Sequence, residues 1–305
     1  MHDPATRVAA VMAAYNRRDL TLACLGSLRA QQVSGVTLDA FVLDDASSDG
    51  TAEAVAERFP EAILLHGDGQ LYWNGGMRRA FGAAIAGDYD YYLWMNDDTT
   101  LDDGALAVLL ETERRLRGGG EEAVIVAGST RHPETGELTY GGVVRPSRWR
   151  PMRAELVEPG DAPRPCDTMN GNATLISREV VRRVGNIDPA FVQQMGDFDY
   201  GLRARAAGGS VWIAPGTIGT CASHPARRPG EQPLSEELRL LWSTKELAPG
   251  PWATYTRRWA GWLWPVYWLS PYLRRGARLV LERAQAAGSP PDKRDRGTGA
   301  PTPDR

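Results

Sequence analysis

The sequence predicts an α/β fold, in which a mostly parallel central sheet is flanked by helices, and two patterns lead to this prediction. Short apolar segments alternate with amphipathic segments over the first hundred residues, which is typical of right-handed β-α-β crossovers. Polar clusters recur where the predicted strands end, which is where open α/β sheets bind ligands. The 305 residues, 42% of them hydrophobic, are enough for one main core and an appendage.

The first hundred residues contain four predicted strands and the helices between them. Each strand is a short apolar run, and each helix has apolar residues at helical spacing. In chain order the sequence predicts a strand over Val8–Ala14, a helix over Leu20–Gln31, a strand over Leu38–Leu43, a helix over Thr51–Phe59, a strand over Ile63–His66, a helix over Met77–Ala86 and a strand over Tyr91–Met95.

The alternation of strands and helices is less regular beyond Arg117, and we interpret this part as the side of the molecule that binds an acceptor substrate. It predicts a strand over Val124–Ala127, a hairpin over 137–144, a helix that ends near Gly208 and a strand over Val211–Ala214. We divide the chain into a catalytic domain (1–245), a Trp/Arg-rich amphipathic helical segment (246–286) and a disordered tail (287–305), because the tail has almost no apolar residues.

Composition argues against several classes of protein. A net charge of −3 and a pI near 5.9 give no electrostatic basis for binding nucleic acid. The three cysteines are far apart, which is unlike a disulfide framework or a thiolate zinc site. The start of the chain lacks the features of a signal peptide. The apolar stretch Trp259–Leu273 is too short to span a membrane and contains two prolines. We therefore expect a cytoplasmic protein.

The strongest local signal is Asn96-Asp97-Asp98, directly after the fourth predicted strand. Carboxylates at the end of a buried strand suit Mg²⁺ or Mn²⁺, which prefer oxygen ligands and bridge a protein to a diphosphate. The alternative is that these residues cap a helix that begins near Asp102, which aspartate does well.

A second cluster follows the second predicted strand, in Asp44-Asp45-Ala46-Ser47-Ser48-Asp49-Gly50-Thr51. Asp44 can accept hydrogen bonds from a nucleobase imide and a ribose, because a carboxylate is an acceptor-only group. The alternative is a turn rich in Asp and Ser that begins a helix. We favour the structural role for Asp49 and Thr51, and the binding role for Asp44.

A third cluster, Gly196-Asp197-Phe198-Asp199, lies near the start of a predicted helix. One carboxylate can act as a general base while the other caps the helix or pairs with an arginine. A helix-start acidic cluster with no catalytic role is equally compatible with this pattern. Farther along, the neutral imidazole of His224 can complete a coordination shell with carboxylates, although most lone histidines are not ligands.

The order and spacing of these motifs, together with Tyr15-Asn16-Arg17, Gly75-Gly76 and Gly171-Asn172-Ala173, resemble the family 2 glycosyltransferases of GT-A fold over residues 7 to about 225. The resemblance implies an inverting transferase that uses a UDP- or dTDP-sugar and a divalent metal. The sequence departs from the family pattern in three places. Asn96 replaces the first aspartate of D-x-D, Gly196-Asp197 replaces an acidic pair, and Asp68-Gly69 with Tyr72-Trp73-Asn74 replaces an N-x-G element.

The resemblance assigns roles to individual residues. Asp197 is the catalytic base, with Asp199 in reserve, and Asp98 and His224 hold Mn²⁺ or Mg²⁺. The acceptor side comprises Trp73, Asn74, Gly171 and Asn172. The donor nucleotide and sugar are bound by Tyr15, Asn16, Arg17, Asp44, Asp45, Asp68, Gly75, Gly76, Asn96 and Asp97.

The segment from Pro249 to Arg283 combines five tryptophans with arginines. It resembles the tail of rhamnosyltransferase-like relatives that act on lipid-linked saccharides, and we expect it to lie on the inner face of the membrane. Alternatively, its aromatic residues pack on the catalytic domain or form a homodimer interface. The rival functions are a natural-product glycosyltransferase, a sugar nucleotidyltransferase and a degenerate saccharide-binding protein.

Overall fold

The computed structural model describes residues 5–147, 149–222 and 247–288, and its main feature is a central mixed sheet. Ten of the strands in these residues form this sheet, eight of them in the order β10-β13-β6-β12-β4-β1-β2-β3. Along this path β12 and β10 run antiparallel to their neighbours, and the other six strands share one direction. The predicted α/β fold with a mostly parallel sheet is therefore confirmed.

The helices and strands have the following bounds. The strands are β1 (Thr6–Ala14), β2 (Val36–Asp44), β3 (Ile63–His66), β4 (Tyr91–Met95), β5 (Thr100–Leu101), β6 (Val124–Arg131), β7 (Leu138–Tyr140), β8 (Gly142–Val144), β9 (Glu155–Leu156), β10 (Arg164–Cys166), β11 (Thr168–Met169), β12 (Ala173–Ser177) and β13 (Ser210–Thr220). The helices are α1 (Arg18–Arg29), α2 (Thr51–Arg58), α3 (Tyr72–Ala86), α4 (Ala105–Gly118), α5 (Arg178–Val184), α6 (Gly196–Ala206), α7 (Pro249–Trp259) and α8 (Trp264–Gly288).

Helices cover both faces of the sheet. Residues of α1, α2 and α4 pack on one face, and residues of α3, α5 and α6 pack on the other. This explains why β1 is apolar along nearly its whole length, because a parallel strand inside such a sandwich is buried on both sides. Loops at the carboxyl ends of β1, β2 and β4 consequently meet at one edge.

The strands predicted over Val124–Ala127 and Val211–Ala214 are longer in the structure, as β6 and β13, and two other predicted elements differ in where they begin or how they pair. Helix α3 begins at Tyr72 rather than Met77, because the Asp45 carboxylate accepts hydrogen bonds from the backbone N–H groups of Leu71 and Tyr72 and so caps the helix from a neighbouring loop. The predicted hairpin over 137–144 is wrong. Strand β7 pairs with β6, whereas β8 joins β9 and β11 in a separate three-stranded sheet.

The C-terminal helices pack on α6 and the loop before it, and on each other. Trp252 and Tyr255 of α7 are buried against Phe191 and Leu202. Trp268 and Tyr272 of α8 belong to the same cluster, and their side chains donate hydrogen bonds to the carbonyls of Pro249 and Leu247. None of the described helices is both long and apolar enough to cross a bilayer.

Candidate active site

The loops that follow β1 and β2 are joined to each other by side chains. Asn16, in the left-handed backbone region at φ 51°, accepts a 2.7 Å hydrogen bond from the backbone N–H of Ser48, and its own N–H donates to the Ser47 hydroxyl. Asp49 accepts the N–H groups of Arg18 and Thr51, and thus caps both α1 and α2. Its hydrogen bond from the Thr51 hydroxyl is the main cause of its lowered pKa.

Asp44 lies at the end of β2 with 3% of its surface exposed. Its Oδ2 accepts the N–H of Ser47 at 3.1 Å, but its Oδ1 is buried without a hydrogen-bond partner among the described residues. Leaving a buried acceptor unsatisfied is costly, so this oxygen is suited to an N–H group supplied by a ligand. Nearby, Tyr15 directly follows β1 with 54% of its surface exposed, and its ring is available for stacking.

Both carboxylate oxygens of Asp45 accept hydrogen bonds from the protein backbone. Its two oxygens accept backbone N–H groups from Gly69, Leu71 and Tyr72, and this fixes the turn that leads into α3. Asp68, in the same turn, is exposed and accepts the N–H of Gln70. Asp45 therefore positions this turn, whereas the family resemblance assigned it to binding of the sugar-nucleotide donor.

The two glycines of α3 differ in their surroundings. Gly76 is buried, and a Cβ atom there would lie 2.8 Å from the Ala13 side chain, so glycine allows α3 to approach β1. A Cβ atom at Gly75 would make only ordinary contact with Leu71. Gly76 therefore serves helix–sheet packing beside the candidate donor site.

Asp97 and Asp98 form a buried acidic pair that a single arginine bridges. The Arg17 guanidinium lies 3.3 Å from Asp97 Oδ1 and 2.8 Å from Asp98 Oδ2. Burial raises the pKa of Asp97 to about 7, Arg17 opposes this rise and Asp98 adds to it. The capping alternative for these residues is wrong, since α4 begins only at Ala105, with Gly104 as its N-terminal cap.

The second oxygen of Asp98 contacts a cysteine that sequence reasoning missed. The Cys221 thiol donates to Asp98 Oδ1 at 3.2 Å, and burial followed by the Asp98 charge raises its pKa to about 12. Two buried carboxylates with an excess of negative charge are a donor set that fits a hard divalent cation. His224 lies outside the described residues, and within those residues no group of three acidic, Cys or His side chains is arranged to hold a metal.

The start of α3 links the acidic pair to the loop before β12. Trp73 Nε1 donates to Asn96 Oδ1 at 2.8 Å, and the Asn96 N–H donates to the carbonyl of Asn172. A Cβ atom at Gly171 would lie 2.7 Å from the Trp73 ring, so only glycine fits there. Asn74 is fully buried, and its Nδ2 donates to the carbonyl of Gln194 just before α6.

Asp197, in the first turn of α6, meets this same loop. Its Oδ2 accepts the N–H of Gly171 at 3.2 Å, and its Oδ1 accepts the N–H of Phe198 at 2.8 Å. Burial raises the pKa of Asp197 to about 6, although both hydrogen bonds favour the charged form. The result is a fixed carboxylate with a pKa close to neutral pH, as a general base requires.

Asp199, only two residues later, has no exposed surface, and both of its oxygens accept hydrogen bonds from side chains. Arg203 Nε lies 2.7 Å from its Oδ2, and Arg258 Nη1 and Trp259 Nε1 each lie 3.0 Å from its Oδ1. Arg258 also pairs with Asp188. A carboxylate held by two arginines and an indole cannot reach a substrate, so Asp199 anchors α7 to α6 and does not fit the reserve role.

One edge of the sheet therefore holds most of the side chains that the sequence singled out. Arg17 connects the β1 loop to Asp97 and Asp98, while Asn96, Trp73 and Gly171 connect that acidic pair to Asp197. The sequence did not indicate Cys221 or Arg258, because the aspartates that they contact, Asp98 and Asp199, are 59 or more residues away along the chain.

Comparisons with known proteins identify the family and the fold. The family model described as glycosyl transferase family 2 matches residues 9–185. In two strains of Mycobacterium tuberculosis, the N-acetylglucosaminyl-diphospho-decaprenol L-rhamnosyltransferase is 27% identical over 215 residues, which cover 63% of this chain and 68% of the relative.

Two crystal structures of S. aureus TarS 1-349 share the fold at low sequence identity. The first superposes with a TM-score of 0.51 at 11% identity and covers 71% of this chain and 60% of TarS. The second, in complex with UDP-GlcNAc, has a TM-score of 0.54 at 10% identity and covers 82% of this chain and 66% of TarS. The match thus spans less than two thirds of each TarS structure.

Proposed function

The chain belongs to glycosyl transferase family 2, and we propose that it transfers a sugar from a UDP- or dTDP-sugar to a hydroxyl group of a lipid-linked saccharide with inversion. The observation that carries this proposal is Asp197, a hydrogen-bonded carboxylate at the same sheet edge as Asp44, Asp97 and Asp98. The acceptor class is suggested by the mycobacterial relative, whose name specifies a diphospho-decaprenol acceptor.

Asp197 acts as the base in this proposal. It takes the proton of the acceptor hydroxyl while that oxygen attacks the anomeric carbon and the bond to the diphosphate breaks. Of the two carboxylates in the first turn of α6, only Asp197 is not held by cations, because Asp199 pairs with Arg203 and Arg258 and accepts a hydrogen bond from Trp259. One such carboxylate favours direct displacement, and hence inversion. The hydrogen bonds from Gly171 and Phe198 keep Asp197 in one orientation, which reduces the entropy lost on reaching the reactive geometry.

The donor nucleotide is proposed to bind across the loops after β1 and β2. Asp44 Oδ1, which has no partner in the described residues, would accept the imide N–H that uracil and thymine share. The exposed Tyr15 ring would stack on the base. Asn16, Asp45 and Asp49 hold the two loops in position through backbone hydrogen bonds.

A divalent cation is proposed to bind at Asp97 and Asp98, with His224 as a further ligand. When bound, Mn²⁺ or Mg²⁺ would stabilise the negative charge of the diphosphate leaving group. Arg17 already neutralises part of the charge of this pair, and it would offer donors to a diphosphate when the cation satisfies the carboxylates.

The acceptor lipid is proposed to place the enzyme on the cytoplasmic membrane surface through α8. Val266, Leu269, Leu273 and Val280 recur in α8 at intervals of three, four or seven residues, so they share one exposed face, and Trp262, at 86% exposure, lies in the short 3-10 turn just before this helix. Arg274 and Arg278 lie exposed beside them. A face of apolar residues flanked by arginines suits an anionic bilayer interface.

The decisive experiment combines nucleotide binding with turnover. Thermal stability of the wild-type chain and of Asp197→Asn is measured with UDP, dTDP, GDP and CDP, each with Mn²⁺ or with EDTA, and donor turnover is measured in parallel. We expect metal-dependent stabilisation by UDP or dTDP in both proteins, because selective binding raises apparent stability. Turnover should fall about 10²- to 10⁴-fold in the variant, which is the usual contribution of a general base.

The results separate the rival functions. Near-normal turnover in a folded Asp197→Asn protein would contradict the proposed mechanism. Nucleotide binding without turnover by the wild-type chain would favour a degenerate saccharide-binding protein. Cleavage of nucleoside triphosphates in the presence of a sugar phosphate would favour a nucleotidyltransferase, and transfer to soluble aglycones alone would favour a natural-product transferase.

A further inference from the structure

A small pocket lies between α6 and the C-terminal helix α7, beside the proposed base. Its volume is about 50 Å³, and its walls include Arg145, Thr168, Phe198, Trp252 and Tyr255. Phe198 directly follows Asp197 in α6, so this pocket borders the acceptor side of the site. A cavity of this volume has room for only a few water molecules, so it suits a compact chemical group rather than a whole sugar.

Two hydrogen-bond donors in the pocket have no partner in the part of the chain that the structure describes. The Arg145 guanidinium, half-buried, makes no ion pair or hydrogen bond with any described residue. The Tyr255 hydroxyl belongs to a side chain that is 95% buried and likewise has no hydrogen bond within the described residues. The two groups are close enough to interact electrostatically, because Arg145 opposes the rise that burial causes in the pKa of Tyr255.

The remaining walls contain no acidic side chain. Thr168 is already committed, since its hydroxyl donates to the carbonyl of Phe198 at 2.8 Å. Trp252 and Tyr255 stack with ring centroids 5.8 Å apart and form an apolar wall. A cation and a hydroxyl are donors of the kind that an anionic group requires, and the neighbouring carboxylates Asp167, Asp197 and Asp199 are not among the pocket walls.

We propose that this pocket binds a phosphate group of the acceptor through Arg145 and Tyr255. This inference rests on the proposed transfer to a lipid-linked saccharide. It specifies that the enzyme recognises the acceptor by the charged group that joins the sugar to the lipid. Binding there would orient the acceptor so that a sugar hydroxyl points towards Asp197. The α7 helix thereby forms part of the acceptor site as well as anchoring α6.

The test uses hexyl diphosphate as the probe and hexanol as its neutral counterpart. Calorimetric titration of the full chain is carried out with UDP and Mn²⁺ at saturating concentration, so that the donor site is blocked. Arg145→Gln removes the cation, Arg145→Lys keeps the charge, and Tyr255→Phe keeps the packing but removes the hydroxyl. Arg153→Gln is the matched control, because Arg153 belongs to the same loop but pairs with Glu155 at 2.6 Å.

We expect wild type and Arg153→Gln to bind hexyl diphosphate equally and to ignore hexanol. Affinity should fall about 10- to 100-fold in Arg145→Gln and less in Tyr255→Phe, since hydrogen bonds from charged donors are the stronger ones. Lack of saturable binding to wild type at millimolar probe, or equal binding by Arg145→Gln, would overturn the proposal. Failure of the donor assignment is recognised separately, as absence of UDP binding, and the comparison of variants is then made without UDP.

Discussion

Replacing Arg258 by glutamine tests whether the C-terminal helix positions the catalytic base. Arg258 Nη1 lies 3.0 and 3.1 Å from the two oxygens of Asp199, and its Nη2 bonds Asp188. Asp199 is fully buried and sits in the same first turn of α6 as Asp197. The substitution therefore removes one cation from a buried carboxylate and loosens the turn that carries the base.

The magnitude follows from what remains around Asp199. Removing one partner of a buried ion pair costs about 3–5 kcal/mol. Arg203 and Trp259 still donate to Asp199, and the Arg258 side chain is 35% exposed, so solvent screens part of the interaction. We expect a loss of about 2 kcal/mol in the free energy of unfolding, which corresponds to a melting temperature lower by about 4–8 °C.

The assay pairs thermal unfolding with steady-state kinetics. Arg258→Gln should lower kcat while leaving the KM for the donor nearly unchanged, because Asp44 and the acidic pair lie on other loops. Arg257→Gln is the matched control, since the neighbouring Arg257 is exposed and, among the described residues, makes only a contact with Trp264, whose ring centroid lies 5.2 Å from its Cζ. Equal stability and equal kcat in the two variants would refute the positioning role of α7.

Three further predictions concern pH, the donor site and the membrane. Because Asp197 must be deprotonated to act as a base and its pKa is about 6, kcat/KM should rise about tenfold per pH unit below that value and level off above it; a profile that stays flat from pH 4.5 to 8 would exclude Asp197 as the base. Asp44→Asn should weaken UDP binding about tenfold by calorimetry, because it removes the carboxylate whose Oδ1 has no hydrogen-bond partner among the described residues. EDTA should weaken UDP binding by the wild type and by the variant. Unchanged affinity in Asp44→Asn would show that Asp44 does not bind the nucleobase. Replacing Trp262, Val266 and Leu273 by serine should reduce pelleting of the protein with phosphatidylglycerol vesicles at least about tenfold. The control Val108→Ser, which changes an exposed apolar residue of α4, should leave pelleting unchanged. Equal pelleting of all variants would refute the proposed membrane-binding face.

The sequence predicted the first half of the fold well, because each signal there is local. The strands β1 to β4 are short apolar runs that end in polar clusters, and parallel strands bring such ends to one edge. The structure brings two such ends together where Arg17, after β1, contacts Asp97 and Asp98, after β4. The start of α3 escaped prediction because its cap, Asp45, comes from another loop rather than from the preceding residues.

The sequence by itself determined the α/β architecture, the sheet edge that carries the site and the set of carboxylates there, since these depend on periodicity and on residue type. Tertiary structure alone decided how the carboxylates divide their roles. Asp197 and Asp199 have the same chemistry and lie two residues apart, yet one receives two backbone N–H groups and the other is enclosed by Arg203, Arg258 and Trp259. The partners of a buried charge come from distant parts of the chain, and only packing brings them together.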